Sequence, residues 1–404
     1  MTGELISVAE ARRRVLAAAR PLPAEEVRLA GALGRVLAEA VASPHDLPPF
    51  DASAMDGYAV IAGPAAELAV VGESRAGRPA ERALAPGEAI AISTGAVVPA
   101  GADAVVPVER TTASNGRVAV PDTAAGANVR RAGEDVRGGE AVLAAGTELG
   151  PAELAVLASL GRERVSCGAT PRVAVLVTGD ELVPPGRPLG PGQIRDSNAT
   201  ALAAQAARAG ARVELSEHVP DERDATIGAL RRALDAADVV CVSGGVSVGE
   251  HDHVKAALAT VGAEESFWGV ALKPGKPTWF GTARAGDTLV FGLPGNPVSA
   301  MVTFHLLARP ALRALMGGEP TDTRVKATLD APVRLSPLRE QAVRCRLAAR
   351  EDGWHVEPTK AQGSHVLTSM LGAGALALLP AGDGTLEPGA RVDAELLAPG
   401  TLSA

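Results

Sequence analysis

The chain has 404 residues, and its 39 lysines and arginines against 47 aspartates and glutamates leave a formal net charge of −8. This acidic balance argues against bulk binding to nucleic acid or to an anionic membrane, and the length predicts two to four domains at roughly 150 residues each. Apolar residues make up 47% of the chain and aromatic residues only 2%, so alanine, valine and leucine must fill the cores.

The cysteines and the N-terminus predict an intracellular protein. Cys167, Cys241 and Cys345 are far apart and form no Cys-x-x-Cys pair, so neither a disulfide scaffold nor a cysteine metal site is expected. The first residues lack the basic start and apolar run of a signal peptide, and no apolar run reaches about 18 residues. We therefore expect a cytoplasmic location and no membrane span.

The N-terminal part reads as helix and then as a β-rich region. Ser7 is a plausible N-cap with Glu10 three residues later, which is the capping-box pattern. From Ser43 onward, prolines and glycines separate short apolar runs, which is typical of short strands joined by tight turns. The predicted helices cover residues 7–20, a short stretch from Leu33 to Leu37, and residues 151–160; the predicted strands include 58–61, 89–92 and 104–108.

From residue 172, continuous apolar strands alternate with helices, which predicts a mainly parallel sheet covered on both faces. The predicted strands are 172–177, 212–219 and 238–243, with three more near 267–272, 277–282 and 288–293. The predicted helices are 199–209, 225–236, 253–260 and a long final helix over 297–316. After residue 320, five short strands (324–329, 341–347, 354–358, 375–379 and 391–396) predict a small separate β-domain.

These patterns predict a multidomain α/β plus β protein with four parts. A small helical and extended linking domain takes residues 1–43 and 138–170, and a β-rich inserted domain takes 44–137. A central doubly wound parallel-sheet domain covers 171–319, and a β-barrel-like domain covers 320–404.

Polar residues and glycines concentrate directly after the predicted strands, where open parallel sheets bind their ligands. Gly244, Gly245 and Gly249 let backbone N–H groups approach an oxyanion closely, although a plain strand-to-helix turn explains such glycines equally well. Asn296 and Pro297 have the pattern of an N-cap followed by proline at the first helical position. The four segments are Thr178–Glu181, Ser243–Asp252, Lys273–Pro277 and Pro294–Ser299.

Six carboxylates share this placement, and clustered oxygen ligands suit Mg²⁺, which takes one or two carboxylates together with phosphate and water. Each acid alone is as readily a helix cap or a solvated charge, and Asp196 is a good N-cap candidate. His251 and His253 lack a third histidine nearby, so zinc is disfavoured. The acids are Asp180, Glu181, Asp196, Asp221, Glu250 and Asp252.

Lysine is rare in this chain, yet two of its five lysines, Lys273 and Lys276, flank one Pro-Gly turn. Compact ammonium groups neutralise phosphate or molybdate-like oxyanions as point charges. The plain alternative is a pair of solvated loop lysines.

Three loop segments of the β-rich region also carry polar side chains. The segment Pro48–Ala59 places two aspartates and a serine in a turn bounded by prolines, which Asx and Ser turns explain in part. The segments Ser93–Ala96 and Asn128–Asp135 supply hydroxyls, guanidiniums and acids.

Six segments in one order resemble the molybdopterin molybdenumtransferases, the family of bacterial MoeA and the gephyrin E domain. The resemblance runs from about residue 7 to the C-terminus. The segments are Pro49–Ala59, Thr178–Leu182, Asp196–Asn198, Ser243–Glu250, Lys273–Pro277 and Leu293–Ser299.

The resemblance implies a reaction: Mg²⁺-dependent insertion of molybdate into adenylylated molybdopterin, with release of AMP. The α/β domain would then bind molybdopterin. The resemblance also implies a homodimer with a cleft shared between subunits, and contacts with the adenylyltransferase and with molybdoenzyme maturation proteins.

The resemblance assigns roles to matching positions of this chain. The catalytic residues would be Lys273, Lys276, Glu181, Asp56 and Thr94. The metal ligands would be Glu181, Asp221 and Asp252. Substrate binding would fall to Thr178, Gly179, Asp180, Ser243, Gly244, Gly245, Ser247, Gly249, Glu250, Pro294, Pro297, Arg130, Asp135 and Ser364.

Two other functions stay open at this point. Adenylylation of molybdopterin by ATP, the preceding step, uses a related α/β module, although the additional β-rich regions favour insertion. A non-catalytic molybdopterin-binding or scaffold role would need a groove for a partner peptide, which the sequence does not reveal.

Overall fold

The computed structural model of this chain describes residues 5–246, 253–320 and 324–397. It divides into two compact units. The first unit takes residues 1–38, 146–151 and 164–404, and the second takes residues 39–145 and 152–163. The finer four-part division with the boundaries given above stays a prediction.

The first unit contains an α/β layer whose sequence alternates strands and helices as predicted. The strands are β1 (Arg172–Thr178), β2 (Arg212–Val219), β3 (Val239–Ser243), β4 (Glu264–Trp268), β5 (Trp279–Ala283) and β6 (Thr288–Leu293). The helices are α1 (Asn198–Arg208), α2 (Arg223–Ala236), α3 (Val254–Thr260), α4 (Pro297–Thr303) and α5 (Arg309–Leu315), with a π-helical turn at Phe304–Ala308 between the last two.

These six strands form one sheet in the order β2-β1-β3-β6-β5-β4. The first four are parallel, and β5 and β4 continue the sheet as antiparallel strands. Alternate residues of β1 enter different cores: Val173 and Val175 pack with α1, whereas Ala174 and Leu176 pack with α2 and α3. Because β2 and β3 lie on opposite sides of β1, the chain reverses direction across the sheet there and leaves a crevice at the carboxyl ends of these strands. The predicted doubly wound sheet is confirmed.

Two predicted elements of this layer were wrong in detail. The strand expected over 267–272 ends at Trp268, and the separate short strand Leu272–Lys273 pairs with Glu340 and Gln341 in the C-terminal sheet instead. The long helix expected over 297–316 widens into the π turn before α5. Pro310 explains the widening, since its ring lacks an N–H and would collide with the carbonyl four residues earlier in a regular helix.

The N-terminal helix spans Val8–Ala18, and the Ser7 hydroxyl accepts a hydrogen bond from the Glu10 amide at 3.1 Å. The Glu10 carboxylate binds Arg13 and Arg14, each at 2.7 Å, so only half of the predicted capping box forms. The short helix expected between Leu33 and Leu37 was wrong. A 3₁₀ turn, Leu29–Gly31, precedes this stretch, and Val36 and Leu37 form single β-bridges with Glu148 and Cys167.

A closed five-stranded barrel ends the first unit, because Glu340–Arg350 pairs with both Gly353–Pro358 and Ala375–Leu379. The other strands are Arg324–Leu329 and Arg391–Leu396, so the five predicted strands are all present. The minor elements of this unit are the strand pairs Ala24–Arg28 with Arg164–Gly168, Leu182–Val183 with Ile194–Arg195, and Val333–Arg334 with Thr385–Leu386, and the 3₁₀ turns Arg284–Gly286 and Leu367–Met370.

The second unit is built on another six-stranded sheet. Its strands, in order across the sheet, are Ala104–Pro107, Gly57–Val60, Glu88–Ile92, Ala66–Ser74, Arg117–Val120 and Thr112–Ser114. Gly57 is required at its position, because a Cβ there would lie 1.9 Å from the Val106 carbonyl oxygen. The minor elements of this unit are the strand pairs Ala52–Ser53 with Val129–Arg130 and Val41–Ala42 with Ala141–Leu143, and the 3₁₀ turn Val108–Arg110. The helix predicted over 151–160 is present as Pro151–Ser159.

Within the described ranges, none of the helices combines the length and the apolar character needed to cross a bilayer.

Candidate functional site

A cavity of about 650 Å³ opens at the carboxyl ends of the parallel strands in the first unit. Loops that follow β1, β2, β3 and β6 line it, which is the place that the sheet topology leaves for a ligand. The residues on its wall are Val177, Thr178, Gly179, Glu181, Leu182, Ile194, Arg195, Asp196, Ser197, Asn198, Asp221, Ser243, Gly244, Gly245, Val246, Pro277, Pro294, Gly295, Asn296, Pro297 and His365.

The side chain of Asn198 joins three of these loops. Its Nδ2 atom donates to the Ser243 hydroxyl at 2.9 Å and to the Gly295 carbonyl oxygen at 2.8 Å. The Ser243 hydroxyl in turn donates to the Pro294 carbonyl oxygen at 3.1 Å. Asn198 and Ser243 are both buried, so this network fixes the end of β3 against the loop that enters α4.

The glycine loop after β3 fits closely over β1. Gly244 has φ +97°, and a Cβ there would lie 2.7 Å from both the carbonyl oxygen and the hydroxyl oxygen of Thr178. Gly245 has φ +63°, and its Cβ would lie 2.5 Å from a methyl group of Val254. Both glycines are therefore needed for the close approach, and both line the cavity; the Gly244 amide donates to the Leu293 carbonyl oxygen at 3.1 Å.

Acidic side chains gather where β1 and β2 end. The Asp221 amide donates to Asp180 Oδ1 at 3.0 Å, and the Asp180 amide donates to Asp221 Oδ2 at 3.3 Å. Burial is the main cause of a raised pKa at Asp221. The hydrogen bond from the Asp180 amide lowers this pKa, and the nearby negative charges of Asp180 and Glu181 raise it. Like charges thus converge on one side of the cavity, which favours a cationic ligand there.

Two buried polar atoms at this cavity have no hydrogen-bond partner: Thr178 Oγ1 and Asn198 Oδ1. Both belong to residues of the cavity wall that are 7% exposed. A buried polar group without a partner costs stability, so such groups are usually kept for function.

The C-terminal barrel contributes one segment to the cavity rim. Asn296 occupies the N-cap position of α4, but its side chain does not cap the helix; Nδ2 donates to the Ser364 hydroxyl at 3.1 Å. The Ser364 carbonyl oxygen accepts from the Val298 amide at 3.2 Å. Ser364 therefore holds the first turn of α4, while the adjacent His365 lines the cavity.

Lys273 ends the short strand Leu272–Lys273, and Lys276 lies in the loop that follows it. Of residues 273–277, only Pro277 lines the cavity. Lys273 and Lys276 are both exposed. In the part of the chain that the structure describes, neither ammonium group pairs with a carboxylate.

Four residues assigned from the sequence, Ser247, Gly249, Glu250 and Asp252, lie outside the described residues. Over the described residues, no group of three or more His, Cys, Asp or Glu side chains is arranged to hold a metal by itself.

The remaining predicted site residues belong to the second unit. Asp56 Oδ1 accepts from the Thr94 amide at 2.7 Å and from the Thr94 hydroxyl at 3.0 Å, and these two bonds lower the pKa of Asp56. Arg130 lies in the short strand that pairs with Ala52–Ser53, and the Asp135 amide donates to the Leu47 carbonyl oxygen at 3.0 Å. All four side chains are exposed, so they are available to a ligand or a partner.

Comparison with protein families gives three consecutive matches along the chain. Residues 6–161 match the MoeA N-terminal region (domain I and II), residues 174–314 match a probable molybdopterin binding domain, and residues 326–397 match the MoeA C-terminal region (domain IV). The chain belongs to the MoeA family. Its members are enzymes of molybdenum cofactor biosynthesis, which confirms the resemblance drawn from the six segments.

Individual MoeA relatives match over nearly the whole length. A molybdopterin molybdenumtransferase of Haemophilus influenzae is 37% identical over 93% of this chain and 94% of its own, and that of Bacillus subtilis is 35% identical over 97% and 94%. The crystal structure of a MoeA protein from Pyrococcus horikoshii, 29% identical, superposes with a TM-score of 0.82 over 97% of this chain and all of that one.

Several residues of the MoeA cavity were missed as site residues from the sequence, among them Asn198, Arg195 and His365. Asn198 stood inside the Asp196–Asn198 segment, and that segment was the available signal. Asp196 does cap α1, since its Oδ1 accepts from the Ala199 amide at 3.0 Å. The bonds from Asn198 to Ser243 and Gly295 cross 45 and 97 residues of chain, so no local pattern reveals them.

Proposed function

We propose that this protein catalyses the Mg²⁺-dependent insertion of molybdate into adenylylated molybdopterin, with release of AMP. The observation that carries the proposal is the cavity at the switch point of the sheet, where a glycine loop and an acidic group face each other. A nucleotide-bearing pterin needs both features, since amide N–H groups bind its phosphates and carboxylates bind an accompanying cation. The same proposal includes a cytoplasmic location and a supply of substrate by an adenylyltransferase.

Insertion of molybdate is mainly an electrostatic problem. An oxyanion must approach a substrate that is itself anionic, and two unit charges 4 Å apart repel by roughly 4 kcal/mol at an effective dielectric constant near 20. Lys276 directly precedes Pro277 of the cavity wall and Lys273 lies three residues earlier, and their exposed ammonium groups would offset this repulsion. The Gly245 amide would hold a phosphate in place, whereas the Gly244 amide is already bound to the Leu293 carbonyl oxygen at 3.1 Å, so that the two anions meet in a fixed orientation.

The donor set fits Mg²⁺. The side chains of Asp180, Glu181 and Asp221 supply carboxylate oxygens. Burial is the main cause of the raised pKa of Asp221, and the negative charges of Asp180 and Glu181 add a repulsion that a cation would relieve. Because the described residues hold no complete protein cage, the ion would complete its coordination with substrate phosphate and water, as Mg²⁺ commonly does. Glu181 and Asp221 would hold it, and when bound it would neutralise charge on the phosphate group.

A homodimer is part of this proposal. The exposed side chains of Asp56, Thr94, Arg130 and Asp135 have the acids, hydroxyl and guanidinium that a phosphorylated substrate could contact. Light scattering on the purified protein should give twice the mass of the 404-residue chain. A monomer at the concentration used for the activity assay would contradict the proposed homodimer.

The reaction itself is tested by measuring AMP release from adenylylated molybdopterin with molybdate and Mg²⁺. Lys276→Ala should lower molybdate-dependent AMP release far more than it lowers thermal stability, whereas Lys360→Ala, a change of another exposed lysine, should leave both unaltered. Equal loss of activity and stability in Lys276→Ala would make that lysine structural. Formation of adenylylated product from molybdopterin and ATP alone would assign the protein to the preceding step instead.

A further inference from the structure

A second cavity, of about 520 Å³, lies further along two of the helices that line the candidate site. Helix α1 begins at Asn198, which lines the first cavity, and its residues Gln205 and Arg208 line the second. At a rise of about 1.5 Å per residue, Gln205 lies about 10 Å from Asn198 along the helix axis. The residues on the wall of this second cavity are Leu33, Gly34, Arg35, Glu148, Gln205, Ala207, Arg208, Ala209, Gly210, Met301, Phe304, His305, Arg309, Arg313, Met370, Ala373 and Leu397.

The charge of this wall is opposite to that of the chain. Four arginines face one glutamate, an excess of three positive charges, in a protein whose net charge is −8. Glu148 pairs with Arg313 at 2.9 Å, and Arg35 binds Glu25 at 2.5 Å, so part of this charge is neutralised. The exposed Arg208 has no carboxylate partner among the described residues.

The positive potential therefore comes from guanidinium groups and not from the histidine. Burial lowers the pKa of His305 to about 4, helped by the charges of Arg309, Arg12 and Arg208, so His305 is neutral at pH 7. The end of α1 adds about half a negative charge, which is less than the full positive charge of Arg208.

The remaining wall is apolar or lacks hydrogen-bond partners. Met301, Phe304 and Met370 offer an apolar surface with one aromatic ring. Gln205 and His305 each keep one buried polar atom, Oε1 and Nε2, without a partner. His305 and Phe304 lie in the π-helical turn, a distortion that is often found at functional sites.

We propose that this second cavity binds an organic phosphate of nucleotide size. Guanidinium groups bind phosphate in a bidentate manner, and the volume lies within the range of small-molecule sites, about 300–1,000 Å³. The apolar wall would receive the organic part. Helices α1 and α4 each line both cavities. A ligand in the second cavity would therefore contact the same helices that hold Asn198 and Pro297. The inference does not depend on the proposed reaction.

The test is a calorimetric titration of the whole protein with AMP, with inorganic phosphate and adenosine as separate arms. Ala207→Trp adds bulk from an exposed position on the cavity wall without removing charge, and Arg208→Ala removes the unpaired guanidinium. Their matched controls are Ala204→Trp on the same helix and Arg231→Ala on α2, both exposed and both away from this cavity.

We expect Ala207→Trp and Arg208→Ala to remove one AMP-binding event or to weaken it at least tenfold, while both controls bind as the wild type does. Phosphate and adenosine alone should bind more weakly than AMP. AMP binding that is the same in all five proteins, or equally strong binding of inorganic phosphate and AMP, would overturn the inference. Asn198 lines only the first cavity, so an AMP event that is lost in a folded Asn198→Ala protein and kept in Arg208→Ala belongs to the candidate site instead.

Discussion

The side-chain amide of Asn198 lies 2.9 Å from the hydroxyl oxygen of Ser243, although 45 residues separate them in the chain. Since Nδ2 also bonds to Gly295, one side chain fixes the start of α1, the end of β3 and the approach to α4 relative to one another.

Asn198→Ala should therefore damage both the fold and the site. It leaves the Gly295 carbonyl oxygen without its donor, which costs about 1–3 kcal/mol, and it frees two loops of the cavity. We expect a lower melting temperature and at least a tenfold fall in kcat/KM for AMP release. Thr200→Ala, an exposed change on the same helix, is the control, and an Asn198→Ala protein indistinguishable from it would contradict this role.

Gly244→Ala separates steric collision from backbone strain. Its Cβ would lie 2.7 Å from Thr178, whereas Gly262, also at positive φ, has no atom within 4 Å of its Cβ position. Gly262→Ala should cost about 1 kcal/mol from strain alone. Gly244→Ala should cost more and should also lower substrate affinity, measured by calorimetry. Equal effects of the two changes would mean that the close approach over β1 is unimportant.

Arg344 should act as a positioning residue for the segment at the cavity rim. It is 1% exposed, burial lowers its pKa, and its Nη2 donates at 3.3 Å to the carbonyl oxygens of Ala361 and Gly363, directly before Ser364. Arg344→Met should raise KM at least fivefold while kcat changes less, because it releases the segment that holds α4. Arg346→Met on the exposed side of the same strand should change neither constant. A matching loss of kcat and stability with KM unaltered would point to a purely structural role.

Glu395 gives the fold a dependence on acid pH. Burial alone would raise its pKa, but Arg12 and Arg324, whose guanidiniums lie 3.4 and 3.2 Å from its carboxylate, hold the pKa below its usual value. A lowered pKa means that this stabilisation is present above about pH 4.5 and is lost as the pH falls through the lowered value. At pH 7, Glu395→Gln should lower the free energy of unfolding by roughly 3 kcal/mol, as expected for a broken buried ion pair. Its melting temperature should therefore lie below that of the wild type.

The difference between the two Glu395 proteins should be fully present above about pH 4.5 and should shrink as the pH falls through the lowered pKa, since the wild-type carboxylate then becomes protonated as well. A difference in melting temperature that stays constant at every pH below 4.5 at which both proteins still fold would show that the charge of Glu395 is not what stabilises the contact.

The sequence predicted the features that depend on local chemistry. The cap at Ser7, the strands on both sides of the cavity and the five strands of the barrel follow from capping residues, apolar runs and turn residues, which act over a few positions. The glycines after β3 could be named as well, although only the geometry shows that Thr178 is the residue that excludes a side chain at Gly244.

The errors come from contacts between distant parts of the chain. Leu33–Leu37 has a helical pattern, but Val36 and Leu37 pair with Glu148 and Cys167. Leu272 reads as the end of one strand, yet it pairs with Glu340. The Glu10 carboxylate binds Arg13 and Arg14 and so does not form its half of the capping box. The role of Asn198 belongs to the same class, because its partners are brought together only by the sheet.

Crystals soaked with AMP and molybdate would test the central claim most directly. We expect nucleotide density between the Thr178–Glu181 and Ser243–Val246 loops, with molybdate toward Lys273 and Lys276. Well-occupied density for both ligands elsewhere on the protein, with this cavity empty, would contradict it.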